Sequence, residues 1–393
     1  MASRVVIHIG TPKSGTTYLQ KLLFGNKERL AAHGVLLPAA SANDHALAAI
    51  GMRNGPSDVY AEVWEGVLAE ASAWDGVVVI TNEWFAMADA ERTEEALRRL
   101  GEIGEVHVVV TARDLVDQVP AAWQETLKLG DSTQIDAFVD RLDQPDFRWG
   151  WWDIDPAEVL ARWSPYLSSE QLHLVTIPPR GAPSEVLWHR FAEACGLDPA
   201  LCSTTVKFAR QSLSVEAARL LQLAGPRLLD AIDATPPNWN GPRRWIQSHL
   251  SHGILLDHRG GRITMSGEGI AVVRERSHRS LAAIEASRCA VHGELSDLTS
   301  SLLPEGATHP DDVPESVLLD LALDVIAGQL QYTRKTANRV EAQEKARAAA
   351  RDRAKAEAQQ RRVEAAQAQA EGSVRAKALR RALSEARRAV RGA

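Results

Sequence analysis

Short apolar runs rich in β-branched residues alternate along this chain with longer segments whose apolar residues recur every three or four positions. The runs cover residues 5–9, 77–80, 106–110 and 172–177. Because they are short and lack the polar alternation of a half-exposed strand, they predict buried strands. The segments 18–32 and 90–100 have the periodicity of helices that face a core. Strands separated by helices predict an α/β fold, in which a parallel sheet is flanked by helices on both faces.

The last sixty residues differ in composition from the rest of the chain. Residues 334–393 contain 19 alanines, 17 basic and 7 acidic residues, and neither proline nor an aromatic residue. This composition predicts a long solvated helix, interrupted near Gly372, with too few apolar positions to define the heptad repeat of a coiled coil. A preceding helix is predicted to begin near Asp312, its cap, with Pro314 in its first turn. The predicted organisation is an α/β domain over 1–310, a connecting helix over 311–333 and a basic helical tail over 334–393.

Charge is distributed unevenly between these parts. The whole chain has a formal net charge of −6, whereas the tail has +10 and the remainder −16. A body this acidic is a poor general binder of nucleic acid or of polyanionic polymers, which favours a neutral sugar, a lipid or a small metabolite as its ligand. The basic stretch 374–390 of the tail has the composition to bind a partner helix or an anionic membrane surface.

The cysteine content and the lack of recognisable targeting signals favour a cytoplasmic location for this protein. Cys195, Cys202 and Cys289 are too few for a disulfide framework or for a four-cysteine zinc site. No stretch reaches the ~18 consecutive apolar residues of a membrane span. The first residues contain no signal-peptide cleavage site. We therefore expect a cytoplasmic protein.

The first predicted strand runs into a loop that favours an anion. Gly10 and Gly15 bracket four residues, and a predicted helix begins shortly afterwards. The first N–H groups of a helix lack internal partners and the dipole is positive there, so this arrangement suits a phosphate. The spacing matches the first half of a nucleoside-triphosphate P-loop, in which Lys and then Ser or Thr follow the second glycine. Here Thr16 follows Gly15, the lysine is Lys13, and no aspartate directly follows the run 77–80, so kinase or NTPase chemistry is disfavoured.

A family resemblance rests on this loop, which reads Thr11-Pro12-Lys13-Ser14-Gly15-Thr16-Thr17 and continues into Tyr18. It resembles the 5′-phosphosulfate loop of sulfotransferases that use 3′-phosphoadenosine 5′-phosphosulfate (PAPS). The resemblance implies a P-loop-type fold with PAPS as cosubstrate bound by these residues, Lys13 acting on the leaving phosphate and Tyr18 stacking near the adenine. A tight Gly-Thr turn at a strand–helix junction is the alternative explanation of the pattern.

The strand predicted over 106–110 carries a second match to this family. Arg113 follows it, and the resemblance implies that Arg113 binds the 3′-phosphate of PAPS, for which the forked guanidinium donors are suited. A salt bridge to a carboxylate such as Asp114 is the alternative. The family's helper serine is replaced by Ala121, which weakens recognition of this phosphate or leaves it to another donor. Residues 258–262 resemble the basic, glycine-containing loop that closes over the phosphate in cytosolic members, but their spacing differs and a surface turn is the simpler interpretation.

A general base is expected because the acceptor hydroxyl loses its proton as it attacks. The resemblance implies a base after the strand 77–80, where this chain has Glu83, and ligands of open α/β sheets bind at such strand ends. A solvated or capping glutamate is the alternative. His45 is the second candidate base, although a lone histidine is more often structural. The candidates for the acceptor site are Trp123, Gln124 and Lys128, and Trp123 fits the core equally well.

These features predict a PAPS-dependent sulfotransferase. It would transfer the sulfuryl group to a hydroxyl or amine of a carbohydrate, lipid or small-molecule acceptor, without a metal and without nucleic acid as partner. Two alternatives remain open. One is a P-loop nucleotide-dependent kinase. The other is a degenerate P-loop domain, as Ala121 hints, that serves as a scaffold and acts through its C-terminal helix, for which a plain solvated helix is the simpler interpretation.

Overall fold

The computed structural model describes residues 2–204, 212–232, 240–299 and 306–391. The chain divides into two compact units, Met1–Ala322 and Leu323–Ala393. This division falls inside the segment 311–333 that was predicted as a connecting helix. The first unit contains the sheet and every residue predicted for the functional site.

A six-stranded parallel sheet forms the centre of the first unit, which confirms the predicted α/β fold. The strands of the chain are β1 Arg4–His8, β2 Val35–Leu36, β3 Val77–Thr81, β4 Glu105–Ala112, β5 Leu172–Thr176, β6 Arg262–Ile263, β7 Ala290–His292 and β8 Ala307–Thr308. The order in the main sheet is β2-β3-β1-β4-β5-β7, while β6 and β8 pair separately. The four predicted strands are confirmed. The edge strands β2 and β7 were not predicted because strands of two or three residues are too short to show a periodic hydrophobic pattern.

Helices connect the strands and cover both faces of the sheet. Those of the first unit are α1 Thr16–Gly25, α2 Lys27–Ala32, α3 Ala42–Asn54, α4 Ala61–Ser72, α5 Ala90–Gly101, α6 Leu115–Leu127, α7 Ile135–Val139, α8 Trp151–Ile154, α9 Pro156–Trp163, α10 Ser184–Cys195, α11 Val215–Ala231, α12 Asn240–Pro242 and α13 Gly267–Ser287. A π-helical segment covers Arg243–Ser251. Short 3₁₀ turns cover Glu83–Met87, Ser164–Tyr166, Ser169–Gln171, Pro199–Leu201, Leu255–Asp257, Leu295–Leu298 and Pro310–Asp312.

The helix predicted over 18–32 is in fact two helices. The chain leaves helical geometry at Asn26, which has φ −115° and ψ 16°. Its side-chain Nδ2 donates to the carbonyl of Leu22 at 2.8 Å. A short amide side chain that competes for backbone partners is a common cause of such a break. The second predicted helix, over 90–100, is confirmed as α5.

The two faces of the sheet pack into separate hydrophobic clusters. Side chains alternate along a strand, so Val5 and Ile7 of β1 join one cluster while Val6 joins the other. Helices α3, α4, α5 and α9 cover the first face, and α1, α2 and α10 cover the second. The three cysteines are buried and none forms a disulfide.

A single helix, α14 Glu315–Arg391, carries the C-terminal part of the chain. It begins directly after Pro314, and Asp312 lies in the preceding 3₁₀ turn, so the predicted cap is wrong. The predicted interruption at Gly372 is also wrong. A glycine costs a helix only about 1 kcal/mol, and the residues around it are mainly strong helix formers. No helix in the described ranges is both long enough and apolar enough to cross a membrane.

A buried row of polar side chains crosses the carboxyl end of the sheet. The Nδ1 of His8 in β1 lies 2.7 Å from Oγ1 of Thr81 in β3, and its Nε2 lies 3.2 Å from Oγ1 of Thr111 in β4. The His8 ring packs edge to face against Phe191 at 4.8 Å. Burial lowers the pKa of His8 to about 3. The imidazole is therefore neutral at ordinary pH, with one nitrogen donating and the other accepting.

We predict that this buried histidine makes the first unit lose stability in mild acid. The folded pKa of His8, about 3, lies below the ordinary histidine pKa of 6.5. Below pH ~6.5 the unfolded chain therefore binds a proton that the folded chain does not, and the free energy of unfolding falls until the folded pKa is reached. Between pH ~7.5 and ~5 the loss from this one group is about 2 kcal/mol. Urea unfolding followed by tryptophan fluorescence measures it, since residues 334–393 contain no tryptophan.

The variant His8→Gln keeps a donor and an acceptor at this position but cannot titrate. Its free energy of unfolding should lose about 2 kcal/mol less than that of the wild type over the same pH range. His189→Gln, at an exposed position of α10, is the matched control and should retain the wild-type pH dependence. If the free energy of unfolding of His8→Gln depended on pH as that of the wild type does, His8 would not be the group responsible for the loss of stability.

Candidate functional site

The loops after four neighbouring strands lie at one edge of the sheet. Because β1, β3, β4 and β5 are parallel, the segments that follow them all begin at the carboxyl edge. The Thr11 amide donates to the carbonyl of Thr111 at 3.1 Å, which extends the pairing of β1 and β4 into the first loop. The predicted loop, base and arginine positions therefore lie along the edge at which open α/β sheets bind ligands.

The loop between β1 and α1 is closely packed around its two glycines. A Cβ on Gly10 would lie 1.9 Å from Cγ2 of Thr16 and 2.6 Å from Oγ1 of Thr111. Gly15 has a φ of +80° and is the N-terminal cap of α1, so no cap side chain satisfies the first amides of the helix. Lys13 also has a positive φ, 70°. For a residue other than glycine this costs about 1–3 kcal/mol, and such strain is typical of functional loops.

Side chains beneath the loop hold it in this conformation. The Ser14 hydroxyl donates to the carbonyl of Thr11 at 2.5 Å and lies 2.8 Å from Oγ1 of Thr111. From the side, Nε2 of Gln118 donates to the carbonyl of Pro12 at 2.8 Å. Since the Ser14 hydroxyl uses its proton within the loop, it supports the loop rather than offering a donor to a ligand.

The predicted loop residues differ in their access to solvent. The buried ones are Thr11, Pro12, Ser14, Thr16 and Tyr18, and the partly exposed ones are Lys13, Gly15 and Thr17. Tyr18 is 7% exposed and packs in the hydrophobic cluster that also contains Leu22 and Leu187. Its ring belongs to the core, which corrects the expectation that it stacks on an adenine.

Lys13 pairs with a carboxylate of α6 that it shares with a second lysine. Its Nζ lies 2.9 Å from Oε1 of Glu125, and Nζ of Lys128 lies 2.8 Å from the same oxygen. Burial opposes the ionisation of Glu125, but the charges of Lys128 and Lys13 outweigh it and lower its pKa to about 2. The Lys128 side chain is only 2% exposed. Two ammonium groups thus share one carboxylate, which leaves excess positive charge beside the loop.

A cavity of about 340 Å³ lies beside Arg113. Arg180, Arg262 and Ala121 also line it. Asp117 bridges two of the arginines: its Oδ2 lies 3.3 Å from Nη2 of Arg113, and its Oδ1 lies 2.5 Å from Nη2 of Arg180. Burial opposes its ionisation, but the hydrogen bond from Arg180 and the charges of both arginines lower the pKa of Asp117. Among the described lining residues, three arginines face one carboxylate, so the cavity suits an anion such as a terminal phosphate.

This cavity changes the interpretation of two sequence features. Residues 258–262 contribute Arg262 to its wall, so this segment is part of the cavity rather than a plain surface turn. Ala121 lines the same cavity, to which Arg180 and Arg262 contribute guanidinium groups. Arg180 follows the end of β5 after two prolines. Because the carboxyl ends of parallel strands meet at one edge of the sheet, this position could have been predicted as a site residue from the sequence.

One face of α6 contributes to both the loop and the cavity. Residues 117, 121 and 124 line the cavity, and residues 118 and 125 contact the loop. Their spacing of three, four or seven places them along one side of the helix. Of the residues predicted for the acceptor site, Trp123 is fully buried in the core, Gln124 lines the arginine cavity, and Lys128 pairs with Glu125.

Glu83 lies at the same edge, half-buried at the start of the 3₁₀ turn that follows β3. Its Oε2 accepts a hydrogen bond from Nε2 of Gln20 at 3.1 Å. Gln20 lies one turn along α1 from Thr16 and Thr17, so Glu83 lies against the helix that begins at the loop. This position suits a group that takes a proton beside a bound anion.

His45 occupies a different environment from Glu83. It is fully buried, its Nε2 lies 2.8 Å from the carbonyl oxygen of Pro38, and its Nδ1 accepts from the amide of Thr81 at 3.1 Å. Burial lowers the pKa of His45. Both ring nitrogens are engaged within the fold, so the geometry favours Glu83 over His45 as a base. Within the described ranges, no group of three or more His, Cys, Asp or Glu residues is arranged to hold a metal ion.

Comparison with known proteins gives a structural likeness. The crystal structure of a sulfotransferase from Alicyclobacillus acidocaldarius is similar to this chain, with 13% sequence identity and a TM-score of 0.34, over 60% of this chain and 97% of that one. Similarity at this level establishes no residue correspondence between the two proteins. No protein-family model and no curated protein matches the sequence.

The close packing of the loop predicts the effect of Gly10→Ala. The added methyl group must displace Thr16 and Thr111, so we expect the free energy of unfolding to fall by about 1–3 kcal/mol. Gly25→Ala is the matched control, because a Cβ on Gly25 of α1 meets no atom within 4 Å. It should leave stability unchanged or raise it by up to about 1 kcal/mol. Urea unfolding compares the two variants, and a Gly10→Ala protein as stable as the wild type would show that the loop is packed differently.

Proposed function

We propose that this protein is a sulfotransferase that moves the sulfuryl group of PAPS to a hydroxyl or amine of a carbohydrate, lipid or small-molecule acceptor. One observation carries the proposal. The chain has two separate cationic sites at neighbouring strand ends, the Lys13 loop after β1 and the arginine cavity after β4. PAPS carries negative charge at two separate places, the 5′-phosphosulfate and the 3′-phosphate, whereas the phosphates of ATP form one continuous chain.

The loop after β1 suits the 5′ end of the cosubstrate. The first amides of α1 and the positive end of its dipole favour a phosphate group, and Thr17 adds a partly exposed hydroxyl. The ammonium group of Lys13 would stabilise the negative charge that develops as the bond to the leaving phosphate breaks. Lys128 still neutralises Glu125 when Lys13 contacts an anion, so this change leaves no unpaired buried carboxylate.

Residues at the neighbouring strand ends would complete the reaction. PAPS supplies the sulfuryl group, and adenosine 3′,5′-bisphosphate leaves. A bond forms between the acceptor oxygen or nitrogen and sulfur while the bond between sulfur and the phosphate oxygen breaks, and Glu83, oriented by Gln20, takes the acceptor's proton. Arg113, with Arg180 and Arg262, would bind the 3′-phosphate. The positive charge comes from these side chains and the helix terminus, so the proposal includes no metal.

Lys13→Ala tests the proposed role of Lys13 in stabilising the leaving phosphate. We expect transfer of labelled sulfur from PAPS to components of a cell extract to fall by about 100-fold or more, as it does when one electrostatic donor to developing charge is removed. The fold should be retained because Lys128 keeps Glu125 paired. Lys21→Ala, at an exposed position of α1, is the control and should transfer sulfur at the wild-type rate. Activity of Lys13→Ala within about tenfold of wild type would exclude this role.

Calorimetry with nucleotides separates a sulfotransferase from a kinase. The wild type should bind adenosine 3′,5′-bisphosphate without magnesium and more tightly than it binds ATP with magnesium. Preference for ATP with magnesium would instead support the kinase alternative, which shares the strand, loop and helix but does not need the arginine cavity.

Arg113→Ala tests the assignment of the 3′-phosphate. Loss of a charge-assisted hydrogen bond should weaken binding of adenosine 3′,5′-bisphosphate by about 10- to 100-fold. Binding of adenosine 5′-monophosphate, which lacks the 3′-phosphate, should be unchanged. The variant should fold because Asp117 remains paired with Arg180. Equal losses for both nucleotides in titration calorimetry would mean that Arg113 acts elsewhere.

A further inference from the structure

Three arginines surround a single indole ring next to the proposed base. The guanidinium carbons of Arg53, Arg148 and Arg243 lie 5.7, 5.2 and 5.8 Å from the ring centroid of Trp84. They come from three different parts of the chain: the end of α3, the loop before α8 and the start of the π-helical segment. Arg148 and Arg243 are exposed, and Arg53 and Trp84 are half-buried, so a ligand can reach this arginine cluster.

The described carboxylates near the arginine cluster lie beyond ion-pair distance. Among the described residues, no Asp or Glu oxygen lies within 4.0 Å of any of the three guanidinium groups. The charges of Asp153 and Asp58 act on Arg53, and that of Asp153 also acts on Arg148. Oδ2 of Asp153 accepts from the amide of Trp149 at 3.1 Å. Burial raises the pKa of Asp153, while the hydrogen bond from the Trp149 amide and the charges of Arg162, Arg148 and Arg53 act in the opposite direction.

The arginines also oppose one another. The Arg148 side chain is exposed overall, but neighbouring atoms partly desolvate its guanidinium group. This desolvation lowers the pKa of Arg148, and the charges of Arg53 and Arg243 lower it further. A cation over an indole face gains only about 0.5–1 kcal/mol at an exposed site. Like charges gathered around one ring without a carboxylate in ion-pair contact are stabilised by an arriving anion, and the forked donors of arginine favour carboxylate, sulfate or phosphate oxygens.

The position of the arginine cluster connects it with the proposed reaction. Trp84 directly follows Glu83, whose carboxylate is hydrogen-bonded to Gln20 of α1. An anion bound at the arginine cluster would therefore lie near the segment that carries the proposed base. All three guanidinium groups lie around one ring, which suits a compact ligand the size of one or two sugar units better than an extended lipid surface.

We propose that Arg53, Arg148 and Arg243 form the acceptor subsite and that the acceptor is an acidic saccharide, whose carboxylate, sulfate or phosphate group binds at the arginine cluster. This proposal rests on the proposed function, since it takes Glu83 as the base. It departs from the expectation of a neutral acceptor that the net charge of the body favoured.

Direct binding of two tetrasaccharides of equal length tests the subsite. A hyaluronan tetrasaccharide carries carboxylates on alternate sugars, whereas chitotetraose is uncharged. By titration calorimetry at low salt, the wild type should bind the hyaluronan tetrasaccharide at least about tenfold more tightly than chitotetraose. The triple variant R53Q/R148Q/R243Q should lose at least about tenfold in affinity for the acidic sugar, together with most of its salt dependence.

A matched triple variant controls for the change in net charge. R98Q/R227Q/R279Q removes three exposed arginines elsewhere on the first unit and should bind the acidic sugar as the wild type does. Equal affinity of the wild type for both sugars, or equal losses in the two triple variants, would overturn the proposal. Binding of phosphatidylglycerol vesicles through the arginine cluster without binding of the sugar would also overturn it, in favour of a lipid surface.

Two further measurements keep the test independent of folding and of the proposed chemistry. If R53Q/R148Q/R243Q does not fold, as judged by tryptophan fluorescence, the single variant R148Q at an exposed position replaces it, with an expected loss of about threefold or more. Sugar binding is measured without PAPS. Failure to bind adenosine 3′,5′-bisphosphate would therefore overturn the proposed function and leave the arginine cluster as a saccharide-binding site without an acceptor role. Failure to bind the acidic sugar would overturn the acceptor subsite alone.

Discussion

The hydrogen-bonded row from Thr81 through His8 and Thr111 to Ser14 ties the sheet to the loop that begins α1. Its direction is fixed at one end, because the Ser14 hydroxyl gives its proton to the carbonyl of Thr11. Thr111 must then donate to Ser14, and His8 must donate from Nε2 to Thr111 and accept from Thr81 at Nδ1. These hydrogen-bond partners therefore select the tautomer of His8 that has its proton on Nε2. It requires a neutral imidazole, which burial provides.

The same row explains how the loop tolerates its strain. The positive φ of Lys13 costs about 1–3 kcal/mol, and each hydrogen bond that fixes the loop returns about 1 kcal/mol. The Ser14 hydroxyl holds the loop from below, while Gln118 and Glu125 of α6 hold it from the side. Because α6 also lines the arginine cavity, the two cationic sites share one rigid element. Their separation is thereby set by the helix rather than by either loop.

Much of the fold could be predicted because buried strands leave a local apolar pattern, and the loop could be recognised because its residues are contiguous. The rest depends on contacts between distant segments. Glu125 is unremarkable as a sequence position until the fold brings it to Lys13, more than a hundred residues away. His8 looks like part of an apolar strand, and only the register of three strands shows that Thr81 and Thr111 flank it. The wrong prediction of a helix break at Gly372 has a different cause. One glycine does not outweigh the high helix propensity of the residues around it.

Net charge is a poor guide to a ligand when charges are clustered. Salt screens exposed charges beyond about 10 Å at moderate ionic strength, so the −16 carried before the tail acts weakly on an anion held among three guanidinium groups within 5.8 Å of one ring centroid. The acidic surface still repels anions approaching elsewhere. An acidic body with such a local arginine cluster therefore does not exclude an acidic acceptor. It would confine such an acceptor to the place where Glu83 can take its proton.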